Sequence, residues 1–408
     1  MRRVVITGMA GISPIGSDWE TVSANLEAGR TGIRIMEDWA RYDGLNTRLG
    51  APVTDFEKPA HYSRRAVRGM GRIALMATRA SERALEDAGL LDDDSIRDGR
   101  MGVAYGSSAG SPQAIAEFGN MLANEAVDGL NATSYIRMMS HTAPVNIGVF
   151  FNLKGRVITT SSACTSGSQG IGYAYEAIKY GRQTMMLAGG AEELCATEAA
   201  VFDTLYATST ANDTPELTPR PFDRDRDGLV IGEGACTLVL EELESAQARG
   251  ARIYGEIVGF GTNSDGSHIT QPTQETMRQA MERSLDDAAL DPGVIGYVSA
   301  HGTATDRGDI AESQATYEIF GNRVPVSAFK SYTGHTLGAC GALEAWVALE
   351  MMNRNRFHHT VNLTSVDEQC ADLDYITGAP RNIECEYVMS NNFAFGGINT
   401  SLIFRRWS

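Results

Sequence analysis

Four segments of this chain concentrate residues able to carry nucleophilic and acid–base chemistry. In ITTSSACTSGSQGIG one cysteine, Cys164, stands among small residues, after a β-rich run and before a glycine-containing helix. Small neighbours leave room for substrate beside the sulfur. A free thiol titrates at roughly 8.5, and a helix N-terminus or a nearby imidazolium lowers that value toward neutral pH. YVSAHGTATDRGDIAES sets His301 just past a predicted strand, followed by Gly302 and the hydroxyls of Thr303 and Thr305. AFKSYTGHTLGACGALEA places Lys330 and His335 five residues apart near the entrance of a helix rich in small residues, and NNFAFGGINTSLIF sets Phe393 and Phe395 against a double glycine before a final strand. A glycine pair there suits a loop whose backbone approaches another group closely. Each segment has a plain alternative: a buried structural cysteine, a histidine held by backbone in a turn, a helix-capping histidine with a surface lysine, a packed turn.

Three further patterns carry less. Asp223, Asp225, Asp227 and Gly228 copy the start of a calcium loop, but the twelfth position is Gly234 and Pro219 and Pro221 forbid a regular entering helix, so a charged structural loop is expected. GSQGIG is too weak a glycine pattern for a dinucleotide. His358 and His359 are adjacent, which excludes the four-residue spacing of zinc ligands on a helix and reads as surface.

The elements that must position these side chains alternate along the chain. β-rich runs at residues 4–7, 101–105, 157–160, 184–187 and 237–240 are separated by longer helical patterns, and a second series at 295–299, 324–328, 386–390 and 400–404 repeats the scheme from about Ile253. Layered α/β architecture follows. The chain divides into two similar halves, residues 1–250 with the nucleophilic cysteine and residues 251–408 with the two histidines. Each half offers a strand-to-helix junction, one at Cys164 and one at His335, and these can meet across a pseudo-twofold. Helix N-termini bring unsatisfied N–H donors and partial positive charge to such a meeting point. Residues 206–228 form a polar, Pro-containing loop expected to cap the core.

Composition bounds the rest. A length of 408 residues with 43% hydrophobic content buries a large core, and 43 glycines without a collagen period indicate tight turns in an ordered protein. Six cysteines without a CxxC pair argue against zinc and disulfides. The formal charge of −16 makes nucleic acid an unfavourable partner. Thr7, Gly8 and Gly11 interrupt any signal-peptide core, and no apolar run reaches the length of a membrane span, so a cytosolic protein is expected.

Taken in order, VVITGMAGISPIG, SSACTSG, AGGAEELC, PFDRDRDGLVIGEGA, NSDGSHITQP, AHGTATDRGD, KSYTGHTLGACGALE and NNFAFGGIN resemble the β-ketoacyl-acyl-carrier-protein synthases, the condensing enzymes of fatty acid and polyketide synthesis, over essentially the whole chain. The resemblance implies a thiolase-like α/β fold of two βαβαβ halves in five layers (αβαβα), normally dimeric. It implies that Cys164 takes an acyl chain from acyl carrier protein or coenzyme A, and that His301 and His335 promote decarboxylation of a malonyl thioester. The enolate would then attack the acyl-Cys164 thioester, without metal or organic cofactor. N–H groups of Cys164 and Phe395 would form the oxyanion hole, Phe393 and Phe395 the gate, and Lys330 and Glu312 would support the histidines. Thr303 and Thr305 match the residues that bind the phosphopantetheine arm, with Gly110, His268 and Thr270 beside the substrate path. The Cys-His-His set points to elongation, since initiating synthases carry asparagine in place of the second histidine and thiolases use a second cysteine.

Carrier proteins are acidic, and HYSRRAVRGMGRIA supplies Arg64, Arg65, Arg68 and Arg72 in one expected helix, the last three on one face, as a docking surface. The gate reads AFGGIN where most relatives have GFGGTN; Ala394 is expected to restrict positive φ and stiffen the gate, with Ile398 and Cys340 as further departures. Fatty acid elongation as a homodimer is the first expectation. A dedicated polyketide or polyene pathway with a chain-length-factor subunit is the alternative, and a non-catalytic scaffold subunit, which would lack the nucleophile, is the least favoured.

Overall fold

A computed structural model describes all 408 residues. Ten strands carry the architecture: β1 (Val4–Ile12), β2 (Met101–Gly106), β3 (Val157–Thr160), β4 (Met185–Glu192) and β5 (Gly234–Glu242) in the first half, then β6 (Gly255–Ser264), β7 (Ile295–Ser299), β8 (Pro325–Ser327), β9 (Tyr387–Ala394) and β10 (Ile398–Arg406) in the second. In the first half they lie in the order β3-β2-β4-β5-β1, and in the second β8-β7-β9-β10-β6. Numbered within each half, these are the same permutation. The pairing senses agree too: parallel for β2 with β3 and β4, and for β7 with β8 and β9; antiparallel for β4–β5, β5–β1, β9–β10 and β10–β6. The repeat is therefore structural, and the halves join edge to edge where β1 pairs antiparallel with β6.

Three helices occupy matching places in each half: α1 (Arg72–Asp87), α2 (Thr142–Phe151) and α3 (Ser166–Lys179), then α4 (Gln274–Ala288), α5 (Asp306–Phe320) and α6 (Cys340–Arg354). Helices α1 and α2 pack together on the outer face of the first sheet half, and α4 and α5 on that of the second. Between the two halves of the sheet, α3 and α6 pack on each other and on strands of both halves, completing five layers. Sequence explains the placement of α6, whose residues from Cys340 to Met352 are all buried, Glu344 and Glu350 included. A helix apolar nearly all round has no solvent face and belongs in the middle of a core. The largest apolar cluster, which includes Val4, Ile171, Leu238, Trp346 and Phe404, fills this central layer.

The strand runs expected from sequence lie within or overlap observed strands. The structure corrects three details. Arg64, Arg65 and Arg68 lie in successive turns, and the helix starts only at Arg72, because Gly69 and Gly71 interrupt the pattern and Gly71 packs so closely on Ser111 that an added Cβ would sit 2.6 Å from its Oγ. His358 and His359 are buried, packed around Tyr332 and, for His358, Phe329, and burial lowers His358 to about 4. Ala394 ends β9 in ordinary extended backbone; the positive φ angles of the gate belong to Gly396 (87°) and Gly397 (67°). The Asp223 loop is structural, as expected: Asp223 accepts N–H bonds from Thr364, Ser365 and Asp225, and Asp227 is bonded by Ser209 and Thr210.

Candidate active site

The turn that carries Cys164 begins where β3 ends. Ala163 takes φ +50°, a left-handed conformation costly for a non-glycine residue, and a single tight turn then leads into α3 with Cys164 at its mouth. Local hydrogen bonds hold the turn: Ser166 Oγ donates to the Ala163 carbonyl and accepts from Ser162 N–H, and Thr165 Oγ1 donates to the Ser162 carbonyl. Cys164 is only 4% exposed. Burial pushes its thiol up to about 11, opposed by the Lys330 charge and by the N–H groups of Phe395 and of Cys164 itself, while Glu192 adds to the rise.

His335 comes from the other half. Its backbone is clamped in strand-like bonds, N–H to the Val230 carbonyl at 2.7 Å and carbonyl from Gly232 N–H at 2.9 Å, so the buried segment 230–232 ahead of β5 sets its position. Nε2 lies 2.9 Å from Cys164 Sγ, and Nδ1 accepts the Leu337 N–H at 3.2 Å. His301 sits in a loop turned by Gly302 (φ +46°) and Ala304 (φ +62°). Two buried carboxylates at the start of α5 hold that loop: Glu312 accepts the N–H groups of His301 (2.6 Å) and Gly302 (2.8 Å), and Asp309 those of Thr303 and Ala304. Burial raises Glu312 to about 8 and Asp309 to about 6.

Lys330 Nζ lies 3.0 Å from His301 Nδ1, 2.8 Å from the His301 carbonyl and 2.5 Å from Glu344 of α6. Burial opposes its charge, but Cys340 and Glu344 outweigh that and its pKa is raised. An ammonium has only donors, so His301 Nδ1 must accept and its proton sits on Nε2. The same reasoning from Leu337 N–H places the His335 proton on Nε2. Burial, with Lys330 nearby, drives both imidazoles well below their ordinary value, and they stay neutral. The two rings stand edge to face, 5.2 Å apart, as N–H donors beside one thiol. Cys164, His301 and His335 are close enough to share a metal ion, but a dication there would lie against the Lys330 ammonium.

A cavity of about 470 Å³ opens over this group, lined by Cys164, His301, His335, Thr303, Thr305 and Phe395 among others. Thr303 and Thr305 share a 2.8 Å hydrogen bond on its wall. Phe393 meets the His301 ring edge on, and Phe395 packs on Phe202 with ring centres 4.9 Å apart. Of the remaining sequence candidates, Thr270 and Glu312 line the cavity and Gly110 and His268 do not. Gly110 turns at φ +76° against the Met138 carbonyl, and His268 is exposed, with Nδ1 accepting its own loop's Thr270 N–H. Arg72 bonds Glu233, whereas Arg64, Arg65 and Arg68 are exposed. Glu344, which also accepts the Asn392 side-chain N–H at 2.6 Å, and Glu192 belong to no catalytic pattern in the sequence. An acid inside an otherwise apolar helix was the available signal for Glu344, since buried charges are paired.

The model of the β-ketoacyl synthase N-terminal domain matches residues 1–246, and that of the C-terminal domain residues 254–364. The chain belongs to the β-ketoacyl synthase family. It is an acyl-transferring condensing enzyme with the thiolase-like fold. A 3-oxoacyl-[acyl-carrier-protein] synthase 1 of Haemophilus influenzae is 38% identical, with 100% of both chains covered. Among solved structures, a β-ketoacyl synthase from Burkholderia phymatum is 62% identical with a TM-score of 0.99, and the ishigamide ketosynthase/chain length factor is 32% identical with a TM-score of 0.90; both alignments cover 100% of both chains. No helix of this β-ketoacyl synthase is long and apolar enough to cross a membrane.

Proposed function

We propose that the chain is a 3-oxoacyl-acyl-carrier-protein synthase that extends acyl chains by two carbons, with Cys164 as nucleophile and His301 and His335 as the decarboxylating pair. The observation that carries this reading is the fixed tautomer of both histidines: Lys330 and the Leu337 N–H occupy the Nδ1 atoms, leaving two neutral Nε2–H donors at the thiol. In the first step Cys164 attacks an acyl thioester; the tetrahedral oxyanion lies against the N–H groups of Cys164 and Phe395, and the pantetheine thiol departs with the proton that began on Cys164. A malonyl thioester then places its carbonyl oxygen against the two Nε2–H groups. The bond to the carboxylate breaks, carbon dioxide leaves, and the electron pair enters the enolate, whose growing oxygen charge those donors stabilise most. The enolate carbon attacks the acyl-Cys164 carbonyl, the C–S bond breaks, and the Cys164 thiolate takes a proton from water.

Thr303 and Thr305 line the path for the pantetheine arm, and Lys330 and Glu312 position His301. The exposed Arg64, Arg65 and Arg68, on a chain of net charge −16, form a local basic surface for an acidic carrier protein. Strand β3 supports a dimer of identical chains: it lies at the sheet edge, with Val157 52% exposed and Val149 of the adjoining α2 70% exposed. Unpaired, apolar edges template pairing with a second chain. Intact-mass spectrometry tests the assignment. Acyl carrier should add one acyl group to the wild type and none to Cys164→Ala, while His335→Ala should still acylate but lose about 10²-fold in decarboxylation of malonyl carrier. Acylation of another cysteine, or full decarboxylation by His335→Ala, would overturn it.

A further inference from the structure

The short helix Ala196–Asp203 turns Ala196, Ala199 and Phe202 toward Cys164 and Leu337, forming an apolar wall beside the nucleophile. Glu198 lies on the same buried side, one turn before Phe202, and is 9% exposed. Neither of its carboxyl oxygens has a hydrogen-bond partner. A further unpartnered buried oxygen is Oε1 of Glu192 at the end of β4, whose charge acts on Glu198. Glu192 uses its other oxygen to accept the N–H groups of Ser108 and Gly338. Burial and the neighbouring Glu192 push the Glu198 carboxyl well above the usual range, so it stays protonated and can both donate and accept.

A buried carboxyl with no partner is unfavourable, and a methylene chain laid against it cannot supply one. We propose that Glu198, with Glu192 beside it, recognises an oxygen substituent on the acyl chain held by Cys164, so that hydroxy- or oxo-acyl groups are accepted in preference to plain alkyl groups. This rests on Cys164 carrying the acyl group. The thioester oxygen of that group would lie against the N–H groups of Cys164 and Phe395, and Cys164 itself packs in one apolar cluster with Ala196, Ala199, Phe202 and the half-buried Ala163, against which the chain beyond it would run. On the helix that carries this wall, Glu198 is the buried polar side chain without a partner. A site that hydrogen-bonds a substrate oxygen discriminates against the analogue lacking it more strongly than an apolar pocket discriminates by size.

The test compares octanoyl carrier with 3-oxo-octanoyl and a series of hydroxy-octanoyl carriers, following acylation of Cys164 by intact mass. At least one oxygenated chain should exceed octanoyl by ~10-fold or more in kcat/KM. Glu198→Met should bring that ratio toward one, chiefly by raising the octanoyl rate, and should raise the Tm by removing the unpartnered carboxyl. Glu198→Gln, which keeps a donor and an acceptor, should retain the preference. Octanoyl acylating the wild type as fast as every oxygenated chain, or a ratio that survives Glu198→Met, overturns the inference and leaves the acyl-cysteine reading standing. Absence of Cys164 acylation by every chain overturns both.

Discussion

The two strand-to-helix junctions of this molecule are built alike and used differently. At the first, Ala163 at φ +50° precedes Cys164 and α3; at the second, Leu337 at φ +44° precedes Gly338 and α6. Both run through a single tight turn into a helix of the middle layer. At the first junction the backbone N–H of Cys164 faces its own sulfur. At the second, the Gly338 N–H is taken by Glu192 of the opposite half, and Gly338 packs so tightly that an added Cβ would lie 2.8 Å from the Ser107 Cα and 2.9 Å from Glu192 Oε2. One junction thus keeps its donor for a reacting group, and its counterpart commits that donor to holding the halves together. A repeated fold needs only one nucleophile, and the second copy of the turn serves to aim His335, two residues before Leu337.

Moving the thiol would break this comparison most severely. Cys164→Gly combined with Gly338→Cys should give no acylated protein and a lowered Tm; acylation at position 338 would show the junctions to be interchangeable. Lys330→Met comes next. It leaves Glu344 buried without its ion-pair partner, at a cost of about 3–5 kcal/mol in stability, and frees His301 to change tautomer. Adding Glu344→Met should restore most of the stability measured by denaturant unfolding but not the decarboxylation rate, which separates positioning from folding.

pH sharpens the contrast further. The first junction carries a thiol raised to about 11, so its alkylation by iodoacetamide should climb steadily from pH 7 to 10. Malonyl decarboxylation, which on the proposed mechanism depends on histidines that stay neutral, should be nearly flat between pH 6 and 8. Stability follows the same histidines. Because their folded values lie below the unfolded one of about 6.5, the unfolded chain binds more protons in acid, so this contribution is present above that pH and lost as pH falls below it. His358, at about 4, adds to the loss between those two values. Glu312 runs the other way: raised to about 8, it contributes most below the unfolded carboxylate value and loses that contribution as pH rises to 8. Asp309 and Glu198, raised as well, act in the same direction as Glu312, so a Tm that falls from pH 7 to pH 5 marks the histidines as the larger contribution and a Tm that rises marks the carboxyls. The smallest effect is expected at the surface. Arg65→Glu with Arg68→Glu should weaken carrier-dependent turnover by about 10-fold at low salt and leave iodoacetamide reactivity unchanged.

Much of this arrangement was readable from sequence because local pattern and long-range position coincide. The strand runs, the two-half division and the segments around Cys164, His301 and His335 depend on alternation, glycine placement and small residues, which sequence displays directly. Elsewhere tertiary packing decides. The arginine segment has helical charge spacing, yet Gly69 and Gly71 leave it in turns. His358 and His359 look polar and solvent-bound, but the chain leaving α6 carries them beneath Tyr332. Lys330 and Glu344 are 14 residues apart, and only the route from β8 into α6 brings their charges together. Ala394 stands beside the double glycine without needing its conformational freedom, because the hairpin reverses one residue later.

The burial of α6 from Cys340 to Met352 also fixes where the molecule is slowest to open. A helix segment with no solvent-facing side is released only when both halves of the sheet part from it, so its amide hydrogens should exchange with water at the global unfolding limit. His335 and Lys330 are held on the segments leading into that helix, whereas Phe395 sits on a glycine hairpin with its backbone at the surface of the cavity. Exchange kinetics should accordingly divide the catalytic groups into a permanently set pair of histidines and a gate that opens many times for each excursion of the core.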